Sequence, residues 1–183
     1  GNVGNSFALQ VADKDYAYYV IELSSFQLDN MYEFKADIAV LLNITPDHLD
    51  RYEFCFDKYV ESKFRILQNQ EPEDVFIFNA DDPVITKKMQ SQLPKAQKLG
   101  FSYRDTDQTA HVKNNDIILN HKNPMHMSIH ELALQGKHNT YNSMAAGIVA
   151  QVLNIRKPVI RQSLMDFKNV EHRLEMVYKV HGI

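Results

Sequence analysis

The chain has no tryptophan, only one cysteine, and six glycines and six prolines in 183 residues. Lone Cys55 excludes an intrachain disulfide, and the scarcity of glycine and proline excludes collagen-like, linker-like and low-complexity architectures. No run of one charge sign is present, and the net charge is −3. The broad positive field that non-specific nucleic-acid binding needs is therefore missing, so nucleic acid is not expected as a partner and any phosphate has to be held by local groups. No apolar run is long enough to cross a bilayer and no signal-peptide pattern opens the chain, so membrane insertion is not expected and the cytosol is the expected compartment. No Gly-x-x-x-x-Gly-Lys-Ser/Thr phosphate loop occurs anywhere, although Lys137 in Gly136-Lys137-His138-Asn139 superficially suggests one. What is present is 44% hydrophobic and 23% charged content, the composition of a globular chain with one sizeable core.

Short β-branched or aromatic runs at Tyr16–Glu22, Ile38–Asn43 and Val75–Asn79 predict strands buried on both faces and therefore paired in parallel. Between them Phe56, Tyr59, Val60, Phe64 and Leu67 recur at helical spacing, which predicts a helix over Phe56–Gln68. Asn114-Asn115-Asp116 and Asn120 to Pro124 punctuate short alternating segments from His111 to Leu134, the pattern of an antiparallel hairpin or small sheet. A helix is predicted from Asn139, as its cap, to Leu153, and another from Pro158 to Phe167. Strands alternating with helices imply an α/β fold with a mostly parallel, doubly wound sheet.

Ligands of open α/β sheets bind outside the carboxyl ends of the strands, which draws attention to two such ends. Tyr18 to Asp29 (YYVIELSSFQLD) turns polar at Glu22, and Ala39 to Asn43 runs into Thr45-Pro46-Asp47-His48-Leu49-Asp50-Arg51. Glu22 and His48 suit a divalent cation beside phosphates: Mg²⁺ takes a few carboxylate oxygens and keeps several waters, and an imidazole also suits Mn²⁺. The same residues have plainer readings, because a strand-end Glu is commonly solvated and Asp-His-Leu-Asp can cap a helix. Lys63 on an amphipathic helix would ordinarily snorkel to water. Asn139 and Asn142, three apart at a helix start, share one face where amides can donate to and accept from a purine base.

Four ordered segments resemble the signature segments of the Mur ligases: Glu22-Leu23-Ser24-Ser25-Phe26-Gln27-Leu28, Asn43 to Arg51, Gly136-Lys137-His138-Asn139-Thr140-Tyr141-Asn142, and Glu171-His172-Arg173-Leu174-Glu175. Within the family, the form ELSSFQL resembles the branch that adds D-glutamate to UDP-N-acetylmuramoyl-L-alanine. The resemblance implies ATP-dependent amide formation through an acyl phosphate in peptidoglycan precursor synthesis. It implies Glu22 and His48 as ligands of two Mg²⁺ ions, and Lys63 as the family lysine that carries a carbamate, an anionic oxygen ligand made with carbon dioxide. It further implies Asn139, Asn142 and Arg173 as nucleotide contacts. Asn2, in Gly1-Asn2-Val3-Gly4, and Ser24 and Ser25 are implied as contacts to the UDP-muramoyl substrate. By the same resemblance residues 1–170 correspond to a central ATPase domain without its phosphate-loop strand and following helix, and residues 171–183 open a C-terminal domain. Such a piece is expected to be inactive alone and, with a sheet edge uncovered, prone to self-association. Alternatives are another Mur or folylpolyglutamate-type amide ligase, and a non-catalytic nucleotide-binding module.

Overall fold

The computed structural model describes residues 6–167. Asn2 and Arg173, and the proposed start of a second domain at 171, lie outside the described residues. Six strands form one sheet whose spatial order follows the chain: β1 (Ile38–Leu41), β2 (Val75–Asn79), β3 (Gln97–Ser102), β4 (Ala110–Lys113), β5 (Asp116–Leu119) and β6 (Met125–Ser128). The first four run parallel, in register Val40↔Ile77 and Ile77↔Leu99, and the last three form an antiparallel meander. The antiparallel element expected around 111–134 thus continues the parallel sheet. Asn114 and Asn115 both adopt left-handed φ values (52° and 65°) between the paired residues Lys113 and Asp116. Asparagine tolerates that conformation, which is why this pair can close a two-residue hairpin.

Alternation along β2 sends side chains to opposite faces, and helices cover both. Phe76 packs with Ala39 and Leu41 of β1 beneath α3 (Phe56–Phe64) and α4 (Pro83–Ser91), in a core that includes Tyr59, Val60, Phe64 and Ile85. Val75 and Ile77 join Leu99, Phe101, Ile117 and Leu119 beneath α5 (Lys137–Val152) and α6 (Lys157–Asp166), whose Met144, Ile148 and Ile160 close the other core. Gly147 lets α5 lie close: a Cβ there would come 2.5 Å from Leu119 Cδ1. The helix expected over Phe56–Gln68 is α3 followed by a tighter turn, Arg65–Leu67.

Two expectations are corrected. Tyr16–Glu22 is irregular, with a bend at Ala17, and is not a strand, and Tyr18 and Val20 are 67% and 99% exposed. A strand exists only with a hydrogen-bonded neighbour, and among the described residues β1 pairs with β2 alone, so nothing pairs with this segment. The preceding α1 (Phe7–Asp13) likewise has no buried residue. Asn139 is not the cap of α5: Gly136, at φ +98°, holds that place, a conformation without cost only for glycine. Asn139 sits inside the first turn, its Nδ2 donating to the Gln135 carbonyl at 2.8 Å.

A candidate ligase cleft at the strand ends

Three separate segments meet beyond the carboxyl end of β1. The irregular segment delivers Glu22 and then turns into a single helical turn, α2 (Ser25–Leu28). Gln27 folds back over its start, its Oε1 accepting from both the amide and the hydroxyl of Ser24 at 2.9 Å. Ser25 is buried, and its carbonyl accepts from Ser62 Oγ at 2.8 Å, which fastens α2 to α3. Tyr52 adds to this joint, its hydroxyl reaching Asp29 Oδ2 at 3.0 Å and Ser62 Oγ at 3.1 Å.

His48 leaves the β1 loop in a left-handed conformation, φ 47° and ψ 36°. That costs a non-glycine residue free energy and is a mark of positions where a side chain is aimed. Asp47 supports the turn, Oδ1 accepting from the His48 amide at 2.9 Å, and the imidazole meets Phe26 edge-on at 6.0 Å. Neither residue caps the following turn through its side chain in the usual N-cap manner, so the plain capping reading of Asp-His-Leu-Asp does not describe His48. The loop itself is tied down from β2: Asp82 Oδ2 accepts from the Ile44 amide at 2.9 Å, and Asn79 Nδ2 donates to the Leu42 carbonyl at 3.0 Å.

Lys63, on α3, closes the third side. Its ammonium lies 5.5 Å from the Tyr59 ring centroid, one helical turn back on the same face. Burial pushes its pKa below the ordinary lysine value, against the opposing pull of the Asp47 and Glu22 charges. Glu22, Ser24, Ser25, Phe26, Asp47, His48, Tyr59 and Lys63 all line one cleft of about 250 Å³. Tyr59 is a lining residue that periodicity alone assigns to packing, and its i, i+4 spacing from Lys63 is the available signal. Glu22, Asp47 and His48 supply oxygen and imidazole donors, the chemistry Mg²⁺ or Mn²⁺ accepts. Among the described residues no three His, Cys, Asp or Glu side chains converge closely enough to hold an ion by themselves.

Asn139 and Asn142 stand elsewhere, on the first turns of α5, and do not line this cleft. Asn142 is exposed and Asn139 half-buried.

The Mur ligase middle domain family matches residues 3–150 of the chain. The chain belongs to the Mur ligase family. It is 52% identical, over its whole length, to UDP-N-acetylmuramoylalanine–D-glutamate ligase of Bacteroides fragilis and 50% identical to the ligase of the same name from Porphyromonas gingivalis. It spans 41% and 42% of those two proteins, so less than half the length of the curated relatives it matches. Among solved Mur ligases, MurF from Acinetobacter baumannii superposes with a TM-score of 0.65 at 19% identity, over 80% of this chain and 32% of that one. MurF ligase from Thermotoga maritima in complex with ADP gives 0.53 at 18% identity, over 74% and 31%. At these identities the likeness is one of fold: the Mur ligase sheet, mostly parallel with an antiparallel extension. Among the described residues no helix is long and apolar enough to cross a membrane.

Proposed function

We propose that this chain is the central part of an ATP-dependent ligase that joins D-glutamate to UDP-N-acetylmuramoyl-L-alanine. The observation that carries the reading is the convergence of Glu22, His48 and Lys63, from three segments of sequence, on one cleft. The names of the relatives at 50–52% identity support the choice of substrates. In this reading a carboxylate oxygen of the muramoyl peptide attacks the γ-phosphorus of ATP and ADP departs. The D-glutamate amine then attacks the acyl carbon, phosphate leaves, and the amine gives up a proton as the amide forms.

Magnesium, held through Glu22 and His48, would neutralise charge on the phosphates during that transfer. Lys63 has a separate task. An amine combines with carbon dioxide only when neutral, and burial of Lys63 enlarges the neutral fraction at a given pH. A carbamate on Lys63 would turn a cation into an anionic oxygen ligand facing the same cleft. Ser24 and Ser25 would meet the acyl end of the substrate, although Ser24 Oγ first has to leave Gln27. Asn139 and Asn142 would meet adenine from the first turns of α5. Asn2 would contact the muramoyl substrate, Arg173 the nucleotide, and residues 171–183 would begin the next domain. Synthesis on a UDP-linked precursor places the work in the bacterial cytoplasm.

The test is ligation by the full-length gene product with D-glutamate, L-lysine or meso-diaminopimelate as acceptor, each with its matching UDP-muramoyl precursor. The expected result is ATP-dependent product with D-glutamate alone, lost in Lys63→Ala and partly restored by a short-chain carboxylate. Product with another amine would move the chain to a sister ligase, and no product with any acceptor would overturn the ligase reading. The 183-residue chain alone is expected to form no product.

A further inference from the structure

β2 leaves the sheet through Ala80-Asp81-Asp82, and the two carboxylates turn to opposite sides. Asp82 holds the β1 exit loop and caps α4, its Oδ1 accepting from the Val84 and Ile85 amides at 2.9 and 3.0 Å. Asp81 collects a different set. Its Oδ1 accepts from Ser102 Oγ at 2.7 Å, and its Oδ2 accepts from the Tyr103 amide and the Tyr141 hydroxyl, both at 2.7 Å. Ser102 ends β3 and Tyr103 follows it, whereas Tyr141 belongs to α5, sixty residues away in sequence.

This bond matters because it ties the first turns of α5 to the sheet rim, while the buried Met144, Ala145 and Ile148 fix the body of the helix. Gly136 offers no side-chain cap, and the bonds from Asn139 to Gln135 and from Thr140 to Gly136 are local to the helix start. None of those bonds reaches the sheet. The Tyr141 bond does, and Tyr141 stands between Asn139 and Asn142, each residue turning the helix by about 100°. With Tyr141 bonded to the sheet rim, the two amides take a fixed direction away from that anchor. The Lys137 ammonium, 5.5 and 5.8 Å from the centroids of the Tyr103 and Tyr141 rings, packs on the same corner.

Protonation reinforces the geometry. Burial alone would raise the Asp81 pKa, but hydrogen bonds from Tyr141, Ser102 and the Tyr103 amide outweigh it and hold the carboxyl below its usual range. Tyr141 is pushed well above the ordinary tyrosine range, by burial first and by the carboxylate it donates to second. At neutral pH the pair is therefore an ionised acceptor and a protonated donor, the stronger kind of hydrogen bond.

We propose that Asp81 is a positioning residue for ATP, acting through Tyr141 to aim Asn139 and Asn142. The inference rests on the functional reading above only in taking those amides as the contact to the purine base. Loss of this anchor is expected to weaken ATP binding about tenfold, equivalent to about 1.4 kcal/mol.

The experiment measures ATP KM and kcat for ligation by the full-length protein, and ATP affinity by calorimetry, for Tyr141→Phe, Asp81→Asn, their combination and Ser102→Ala. Tyr141→Phe keeps the ring and removes only the donor, so the protein should fold. The expected result is a rise of about tenfold in ATP KM and Kd in each single variant, with kcat within about twofold and no further rise in the combination, the mark of two residues acting as one. Ser102→Ala, which removes a donor from the same carboxylate without touching α5, should lower the melting temperature and leave ATP KM within about twofold. Unchanged ATP affinity in Tyr141→Phe would overturn the proposal, and so would an equal rise in Ser102→Ala, which would mean lost stability was being read. If the wild type binds ATP but ligates nothing, the ligase reading falls while Kd still decides this one. If it binds no ATP, this proposal falls as well.

Discussion

Tyr16–Glu22 and Val75–Asn79 are nearly interchangeable as strings of letters, each a short apolar run ending in a polar residue, yet they have opposite fates. Phe76 and Ile77 are fully buried, while Tyr18 and Val20 stand in solvent. The second run has a hydrogen-bonded neighbour on each edge and a helical layer on each face; the first has none of these among the described residues. Apolar character is thus a demand for partners, and a strand appears only where the rest of the chain meets it. The consequence reaches function, because Glu22 ends the unpartnered run while His48 and Lys63 are held by β1, β2 and α3.

The contrast can be broken most directly by truncation. Phe76→Ala is expected to cost about 3–5 kcal/mol, whereas Val20→Ser should stay within about 0.5 kcal/mol. Urea denaturation of both variants checks this, and a large loss in Val20→Ser would mean the irregular run is packed after all. The exits of the two runs sharpen the same point. Asp82→Ala removes the cap of α4 and strands the Ile44 amide, for an expected loss of about 2–3 kcal/mol, against about 0.5 kcal/mol for Ser24→Ala at the exposed exit. A smaller effect, about 1–2 kcal/mol, is expected for Gly147→Ala, which drives a methyl into Leu119 from the layer above the buried strands. Adding Leu119→Val should recover part of that loss, as seen in the denaturation midpoint.

The smallest effect concerns pH. The folded pKa of Asp81 is depressed, so its contribution is complete above the unfolded carboxyl pKa of about 3.9 and is lost as pH falls from there through the folded value. Asp81→Asn should flatten the acid limb of the stability profile while leaving its slope above pH 6 alone. An unchanged acid limb would show that the three donors do not favour the ionised form.

Much of the fold was legible because local signals and tertiary partners agreed. β2 begins and ends where its residues predicted, and Asn114-Asn115 marked the hairpin between β4 and β5. The failures share a cause: Tyr16–Glu22 depends on a neighbour, and the α5 cap depends on the backbone angle of Gly136, neither of which is written in side-chain periodicity. At the site, Glu22 and His48 were legible from their places past strand ends, Ser24, Ser25 and Lys63 only through motif resemblance, and the structure brings all five to one cleft. Tyr59 hid behind its role as a core aromatic. Asp81 and Tyr141 were invisible for a different reason, since a hydrogen bond across sixty residues leaves no mark in either local sequence.

The sheet order has a consequence for how the chain reaches this state. Among the described residues each strand lies beside its immediate predecessor in sequence, so none of these six must be inserted between two that have already paired. The β4–β5–β6 meander joins neighbours only a few residues apart and can close within microseconds, whereas the parallel pairs β1–β2 and β2–β3 wait for the longer connections carrying α3 and α4. Among the described elements the sheet can therefore be laid down strand after strand in the order of synthesis, with α5 and α6 following to seal the face that holds Ile77 and Leu119.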